Sequence, residues 1–113
     1  FKFIKLDVYN KKALDKLFKK NKFDYVYHLA AQAGVRYSIE NPQKYHKANV
    51  DGTFNILLSA RDSRVRRVVY SASSSAYGDQ SQSPQIETMP TAPISPYGLQ
   101  KLIGEQYCFV FSK

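Results

Sequence analysis

Three side chains that could take part in a reaction stand out by their type and spacing. Ser73 lies in the serine-rich run 71–78, and Tyr97 and Lys101 follow it four residues apart. Residues i and i+4 share one face of a helix, so the lysine ammonium would lie near the phenol. A neighbouring cation favours the ionised phenol over the neutral one. The spacing therefore indicates a tyrosine that takes and returns a proton, with the Ser73 hydroxyl bonded to the same substrate oxygen.

The Tyr-x-x-x-Lys spacing also fits an ordinary solvated helix, so its flanking residues matter. Ser95-Pro96 precedes the tyrosine and is typical of a helix start. The β-rich run 67–71 precedes the serines. Together these signals indicate a strand, a serine-bearing loop and a helix that position one site.

Strands and helices alternate along the chain. Apolar alternation and apolar runs predict three strands, at 1–6 (closed by Asp7-Val8), at 25–30, and from Val65 or Arg67 to Ala72. Helical spacing predicts three helices, from Asn10 to Asn21, from Pro42 to Asp62 and from Tyr97 to Phe111. Segments 31–40 and 73–95 are predicted loops. This order predicts an α/β fold, a Rossmann-like doubly wound parallel sheet of which three strands and three helices are present.

The composition favours a folded domain. Of the 113 residues, 43% are hydrophobic and 14% aromatic. No apolar run approaches the roughly 20 residues that span a membrane. The net charge of +8 is spread over helix ends and turns, without the aromatic residues that a single-strand binder interleaves. We therefore expect no nucleic-acid or membrane partner, and the single Cys108 indicates a reducing, cytoplasmic compartment.

These motifs resemble the extended short-chain dehydrogenases/reductases, in their nucleotide-sugar epimerase and dehydratase branch. The resemblance covers the serine run and Tyr97-x-x-x-Lys101, and extends to His28-Leu29-Ala30-Ala31-Gln32-Ala33 and to Asn49-Val50-Asp51-Gly52-Thr53. The segment 34–38, followed by Asn41-Pro42, is similar to that of 4-epimerases acting on UDP-glucose, UDP-glucuronate or UDP-N-acetylglucosamine.

The resemblance implies NAD as cofactor and a UDP-sugar as substrate. It makes Tyr97 the expected acid–base group, Lys101 its helper and ribose ligand, and Ser73 the hydrogen-bond partner of the reacting oxygen. The expected cofactor contacts are Asp7, Val8, Leu29, Ala30, Ala31, Gln32, Ala33, Asn49, Ser71, Tyr97 and Lys101. The expected substrate contacts are Arg36, Ser74 and Ser75. His28 is expected to be mainly structural, and no metal site is expected.

Ser74 and Ser75 bear on the reaction. Dehydratases of this branch carry acids at these positions, and decarboxylases usually place a glutamate there, whereas this chain carries two serines. The serines favour 4-epimerisation through a 4-keto intermediate over elimination. A dehydratase, decarboxylase or reductase of the same branch is the alternative among enzymes. A non-catalytic Rossmann-like interaction module and an inert fragment are the alternatives of another kind.

The Gly-rich turn that holds a dinucleotide in such folds does not occur in this sequence. We therefore expect residues 1–113 to form the middle-to-late part of an NAD-binding domain, without its first βα unit and without a C-terminal substrate domain. The isolated piece is expected to bind NAD weakly or not at all, and to be inactive. By the resemblance, the full-length protein is expected to be a homodimer paired through the long helix from Pro42 and the last helix.

Overall fold

A computed structural model describes all residues, Phe1–Lys113. Two parallel strands, β1 (Tyr25–His28) and β2 (Arg67–Tyr70), pair in register from Tyr25 with Arg67 to His28 with Tyr70. The helices are α1 (Lys11–Asn21), α2 (Val35–Glu40), α3 (Pro42–His46), α4 (Gly52–Asp62) and α5 (Pro96–Phe111). A π-helical turn (Lys47–Asp51) joins α3 to α4, and a 3₁₀ turn (Ser74–Ala76) follows β2. None of these helices is long and apolar enough to cross a membrane.

Side-chain caps fix where two of the helices begin. The Asn10 side-chain oxygen accepts a hydrogen bond from the Ala13 N–H at 3.1 Å, and the Ser95 hydroxyl accepts one from the Gly98 N–H at 3.0 Å. Each cap satisfies an N–H group that has no partner inside the helix. The cap at Ser95 sets the position of Tyr97 at the start of α5.

The core lies between α1, α4 and the sheet. Leu14 and Phe18 of α1 are buried against Ile56 and Ala60 of α4, and the strand residues Val26 and Val68 pack on this cluster among others. The apolar spacing within α1 places its two core residues on one face. This packing covers one face of the sheet.

The α/β class and the parallel pairing are confirmed, but the strand count is wrong. Residues 1–6 form no strand, so the sheet has two strands instead of three. Phe1 and Phe3 are exposed. Alternation of side chains sets which face a strand would bury, but a strand also needs a neighbouring ladder of N–H and C=O groups. No strand of this chain provides that ladder beside residues 1–6.

The structure differs in detail from two further predictions, one for a loop and one for a helix. The predicted loop 31–40 contains α2, whose first turn follows Gly34 with a φ of 110°. The predicted helix from Pro42 to Asp62 is continuous, but its middle widens into the π-helical turn that contains Asn49. The helix from Tyr97 to Phe111 is confirmed.

Candidate active site

The carboxyl ends of both strands meet at one edge of the sheet. Because β1 and β2 are parallel, the loops that follow His28 and Tyr70 leave the sheet side by side. The Ser71 N–H continues the ladder by donating to the His28 carbonyl at 3.1 Å. The predicted cofactor loop and the serine run are therefore neighbours.

The start of α5 packs against the serine turn at this edge. A Cβ on Gly98 would lie 2.4 Å from the Ser75 carbonyl oxygen, so only glycine permits this approach. The Tyr97 N–H donates to the Ser38 hydroxyl at 3.1 Å, and Ser38 is fully buried. These contacts place the segment that carries Tyr97 directly beside the turn that follows Ser73.

The Ser73 side chain borders an open cavity. Its hydroxyl oxygen accepts a hydrogen bond from the Ser75 N–H at 3.2 Å, which fixes the side chain at the start of the 3₁₀ turn. No protein group accepts the hydroxyl proton, so Ser73 retains a donor for a ligand. The cavity is lined by Ala72, Ser73, Ser74, Tyr77, Gln85, Ile86, Glu87 and Glu105.

Lys101 is a buried cation, with 3% of its surface exposed. No carboxylate lies within 4.0 Å of its ammonium, which instead lies 4.5 Å from the centre of the Tyr70 ring. Burial lowers the pKa of Lys101, and Glu105 opposes that shift. No fully enclosed side-chain nitrogen of the protein lacks a hydrogen-bond partner, so the unpartnered Lys101 nitrogen reaches the surface. Its N–H donors are therefore available to a hydroxyl-rich ligand.

Asn49 clamps the loop that carries Gln32 through its side chain. Its side-chain oxygen accepts from the Gln32 N–H at 2.8 Å, and its amide nitrogen donates to the Gln32 carbonyl at 3.0 Å. The same nitrogen lies 3.3 Å from the Gln100 side-chain oxygen. With 1% of Asn49 exposed, its polar atoms are engaged by protein groups. The geometry therefore gives Asn49 a role in shaping the loop that carries Gln32.

Replacing Asn49 by alanine should lower the free energy of unfolding by about 2–4 kcal/mol. The change leaves two partly buried backbone groups of Gln32 without their side-chain partner, at about 1–2 kcal/mol each. Urea unfolding measures this loss. Asn55→Ala is the matched control, because Asn55 also donates to backbone oxygens (Val8 and Tyr9) but is partly exposed, where water replaces the lost bonds. Equal losses in the two variants would contradict the clamp.

Asp7 and Gln32 line a second cavity, separate from the one beside Ser73. Its other lining residues are Tyr9, Gln43, Lys44, Lys47 and Ala48. The Asp7 carboxylate accepts from the Tyr9 N–H at 2.9 Å, and Val8 packs against Gly52, where a Cβ would lie 2.6 Å from its methyl carbon. Two of the predicted cofactor contacts thus share one pocket.

The remaining predicted contacts lie at the surface of the same edge. Leu29, Ala30, Ala31, Ala33, Ser71 and Ser74 are exposed, and Ser75 is half-buried. The Tyr45 hydroxyl fixes the loop by donating to the Ala33 carbonyl at 2.7 Å. Arg36 is exposed on α2 and forms no ion pair. The exposed side chains among these residues are accessible to ligands.

Sequence reasoning missed Ser38, Tyr70 and Gln100. Their partners lie 59, 31 and 51 residues away, so no local spacing reveals them. Only Tyr70 has a sequence signal, which is Gly104 inside a helix. A glycine there suggests the close approach of another group, and a Cβ on Gly104 would lie 2.3 Å from the Tyr70 hydroxyl.

His28 is buried behind the site, and its Nε2 lies 2.9 Å from the Thr53 hydroxyl oxygen. Its ring centre is 5.7 Å from that of Tyr70. Burial, assisted by the charge of Lys101, lowers the pKa of His28 to about 4. His28 is therefore neutral at pH 7 and acts here as a packing and hydrogen-bonding group.

Acid should destabilise the fold through His28. Because the pKa is about 4 in the folded chain and 6.5 in the unfolded chain, the unfolded state binds the extra proton between these pH values, and stability falls as pH falls through that window. The contribution is about 3 kcal/mol when complete. Urea unfolding at both ends of the window should show a smaller acid loss in His28→Gln, which keeps a polar group near Thr53. An identical acid loss in both proteins would refute this assignment.

Comparison with known proteins identifies the family. The family model described as "NAD dependent epimerase/dehydratase family" matches residues 1–113. The chain belongs to this family. It is 38% identical over 106 residues to UDP-glucose 4-epimerase 2 of Oryza sativa subsp. japonica, covering 94% of this chain and 26% of that protein.

Solved structures of this family superpose closely on the chain. The UDP-Glc/GlcNAc 4-epimerase of Campylobacter jejuni gives a TM-score of 0.96 at 34% identity, over 99% of this chain and 34% of that one. UDP-glucose 4-epimerase of Brucella ovis, solved in complex with NAD, gives 0.93 at 35% identity, over 97% and 34%. The family resemblance and the partial Rossmann-like fold are thus confirmed. The chain spans about a quarter to a third of the length of these proteins.

Proposed function

We propose that this chain is the middle-to-late part of the NAD-binding domain of a UDP-hexose 4-epimerase. The observation that carries the proposal is the meeting of three elements at the carboxyl edge of the sheet. The turn after Ser73 packs there against the start of α5 with Tyr97, and the Lys101 ammonium lies 4.5 Å from the centre of the Tyr70 ring at the end of β2. Similarity to UDP-sugar 4-epimerases over nearly the whole chain supports it.

The residues present fit NAD. The buried Lys101 ammonium lacks a carboxylate partner and is suited to ribose hydroxyls. The loop Leu29–Ala33 consists mainly of small exposed residues that permit close approach. Asp7, Val8, Ser71 and Tyr97 complete the proposed cofactor contacts, and Asn49 contributes by holding Gln32. Bound NAD would supply the hydride acceptor and donor for oxidation and re-reduction at C4 of the sugar, by way of a 4-keto sugar.

Side chains of this protein are proposed to transfer the proton and to bind the substrate. Tyr97 is the proposed acid–base group, which takes the proton of the C4 hydroxyl during oxidation and returns it after the sugar has turned. The free hydroxyl proton of Ser73 bonds to the C4 oxygen. Ser74 borders the same cavity as Ser73, and Ser74, Ser75 and Arg36 are the proposed substrate contacts. Guanidinium groups form bidentate hydrogen bonds with phosphate, which suits Arg36 to the diphosphate of a UDP-sugar.

A dehydratase is the second candidate, because two carboxylates line the cavity beside Ser73. Glu87 and Glu105 border it together with Ser73 and Ser74. Elimination of water needs an acid or base beside the sugar ring, and either carboxylate could supply it. The absence of acids at Ser74 and Ser75 favours the epimerase.

A substrate panel tests the proposal. The full-length protein is incubated with UDP-glucose, UDP-galactose, UDP-N-acetylglucosamine and UDP-glucuronate, and proton NMR resolves the C4 epimers. Interconversion of one pair of C4 epimers supports the epimerase. A 4-keto-6-deoxy product assigns the dehydratase, and loss of carbon dioxide from UDP-glucuronate assigns a decarboxylase. No conversion of any substrate would overturn the proposal.

We also propose that the full-length enzyme is a cytoplasmic homodimer. The support for pairing is an apolar groove on α5, lined by Leu99, Leu102, Ile103, Gln106, Tyr107 and Val110. Leu99 and Val110 are 49% and 63% exposed, and such a face is suited to a second copy of itself. The free thiol of Cys108 is consistent with a reducing compartment. Sedimentation of the full-length protein should give twice the monomer mass.

A further inference from the structure

We propose that Tyr70 is a positioning residue that holds the Lys101 ammonium at the active site through the face of its ring. The proposal deepens the function given above and rests on it. Tyr70 is the last residue of β2 and lies directly before the serine run. It therefore connects the sheet edge to the helix that carries both Tyr97 and Lys101.

The ring is the close electrostatic partner of the ammonium. The Lys101 nitrogen lies 4.5 Å from the ring centre, within the range in which an aromatic face attracts a cation. The titratable groups that act on this cluster are His28 from β1, Tyr97, Glu105 and Cys108 from α5, and Tyr70 itself. No carboxylate, that of Glu105 included, comes within 4.0 Å of the ammonium.

The ring is itself held from several sides. Its hydroxyl donates to the Lys101 carbonyl at 3.4 Å, and Gly104 provides the space that a Cβ would fill at 2.3 Å from that hydroxyl. The His28 ring lies beside it at 5.7 Å and is fixed by Thr53. Burial raises the pKa of Tyr70, so its hydroxyl remains a donor at neutral pH.

An aromatic face suits this task better than a carboxylate. A carboxylate would accept the N–H donors of the lysine and compete with a bound ribose. The ring attracts the charge while the donors on its far side stay available. Loss of the aromatic face should therefore make the ammonium less stable in its buried position, and the lysine should lose its proton at lower pH.

The test is the titration of Lys101 in the full-length protein, followed by NMR of lysine labelled with ¹³C at the ε position. Lys101→Arg assigns the resonance. Tyr70→Phe keeps the ring, whereas Tyr70→Leu and the longer, unbranched Tyr70→Met remove it. We expect Lys101 in the Phe variant to titrate at the same pH as in the parent. In the Leu and Met variants we expect it to titrate lower, by at least about half a pH unit. Amide spectra establish that each variant is folded.

Two results would overturn the proposal. One is an unchanged Lys101 titration in a folded Leu or Met variant. The other is a shift in the Phe variant as large as in the Leu variant, which would assign the effect to the hydroxyl. Because the titration requires no turnover, it reports on Tyr70 even where the substrate panel shows no epimerisation. Failure of this proposal and failure of the proposed function are thereby separable.

Discussion

Replacement of Tyr97 by phenylalanine in the full-length protein is expected to lower turnover by roughly 10²- to 10⁴-fold, the usual contribution of a positioned acid–base group. The fold should be retained, because Tyr97 is anchored through its backbone. Its N–H donates to the Ser38 hydroxyl at 3.1 Å, and phenylalanine keeps that N–H and the ring. Steady-state kinetics and far-UV circular dichroism measure the two quantities.

Tyr25→Phe is the matched control for this change. Tyr25 begins β1 at the opposite edge of the sheet and is 59% exposed, so the loss of its hydroxyl should leave turnover unchanged. Equal turnover in the parent and in Tyr97→Phe would refute the acid–base assignment. An equal fall in both variants would show that hydroxyl loss acts through something other than the site.

Replacement of Lys101 by methionine is expected to change function and stability in opposite directions. The affinity for NAD should fall roughly 10- to 100-fold, since a charged hydrogen-bond donor is worth about 1.5–3 kcal/mol. The free energy of unfolding of the NAD-free protein should rise. Burial lowers the pKa of Lys101, so the folded state disfavours the ammonium at pH 7. This cost is present below the folded-state pKa and diminishes as pH rises through it.

Titration calorimetry with NAD measures the affinity, and urea unfolding measures the free energy of unfolding. Lys20→Met is the control, because Lys20 lies exposed near the end of α1, remote from the sheet edge, and it should alter neither quantity. Lower stability of Lys101→Met would mean that the ammonium contributes to folding. Unchanged NAD affinity would remove Lys101 from the proposed cofactor contacts.

Features set by local signals could be predicted from the sequence. The start of α5 follows from a serine cap and a proline at the first helical position, and both act within three residues. The four-residue spacing then fixes that Tyr97 and Lys101 share a helix. The strands β1 and β2 follow from apolar runs, although each ends two residues before its predicted limit. The helical connection between the two strands then implies that they pair in parallel.

Features set by distant partners could not be predicted. The strand predicted at 1–6 requires a neighbouring strand, and local alternation does not report whether one is present. Helix α2 depends on Gly34 at a positive φ and on contacts between Ser38 and Tyr97. The four-residue spacing predicts Tyr97 as the neighbour of the Lys101 ammonium, whereas the structure places the Tyr70 ring against it. The last two features depend on side chains many residues apart.

The most direct test of the central claim is a crystal structure of the full-length protein with a UDP-sugar bound. Convergence of the three elements at one sheet edge predicts that the Ser73 hydroxyl and the Tyr97 phenol both lie within hydrogen-bond distance of the sugar C4 oxygen. Lys101 should remain buried behind them. A sugar bound elsewhere, or Ser73 and Tyr97 on separate surfaces, would contradict the account.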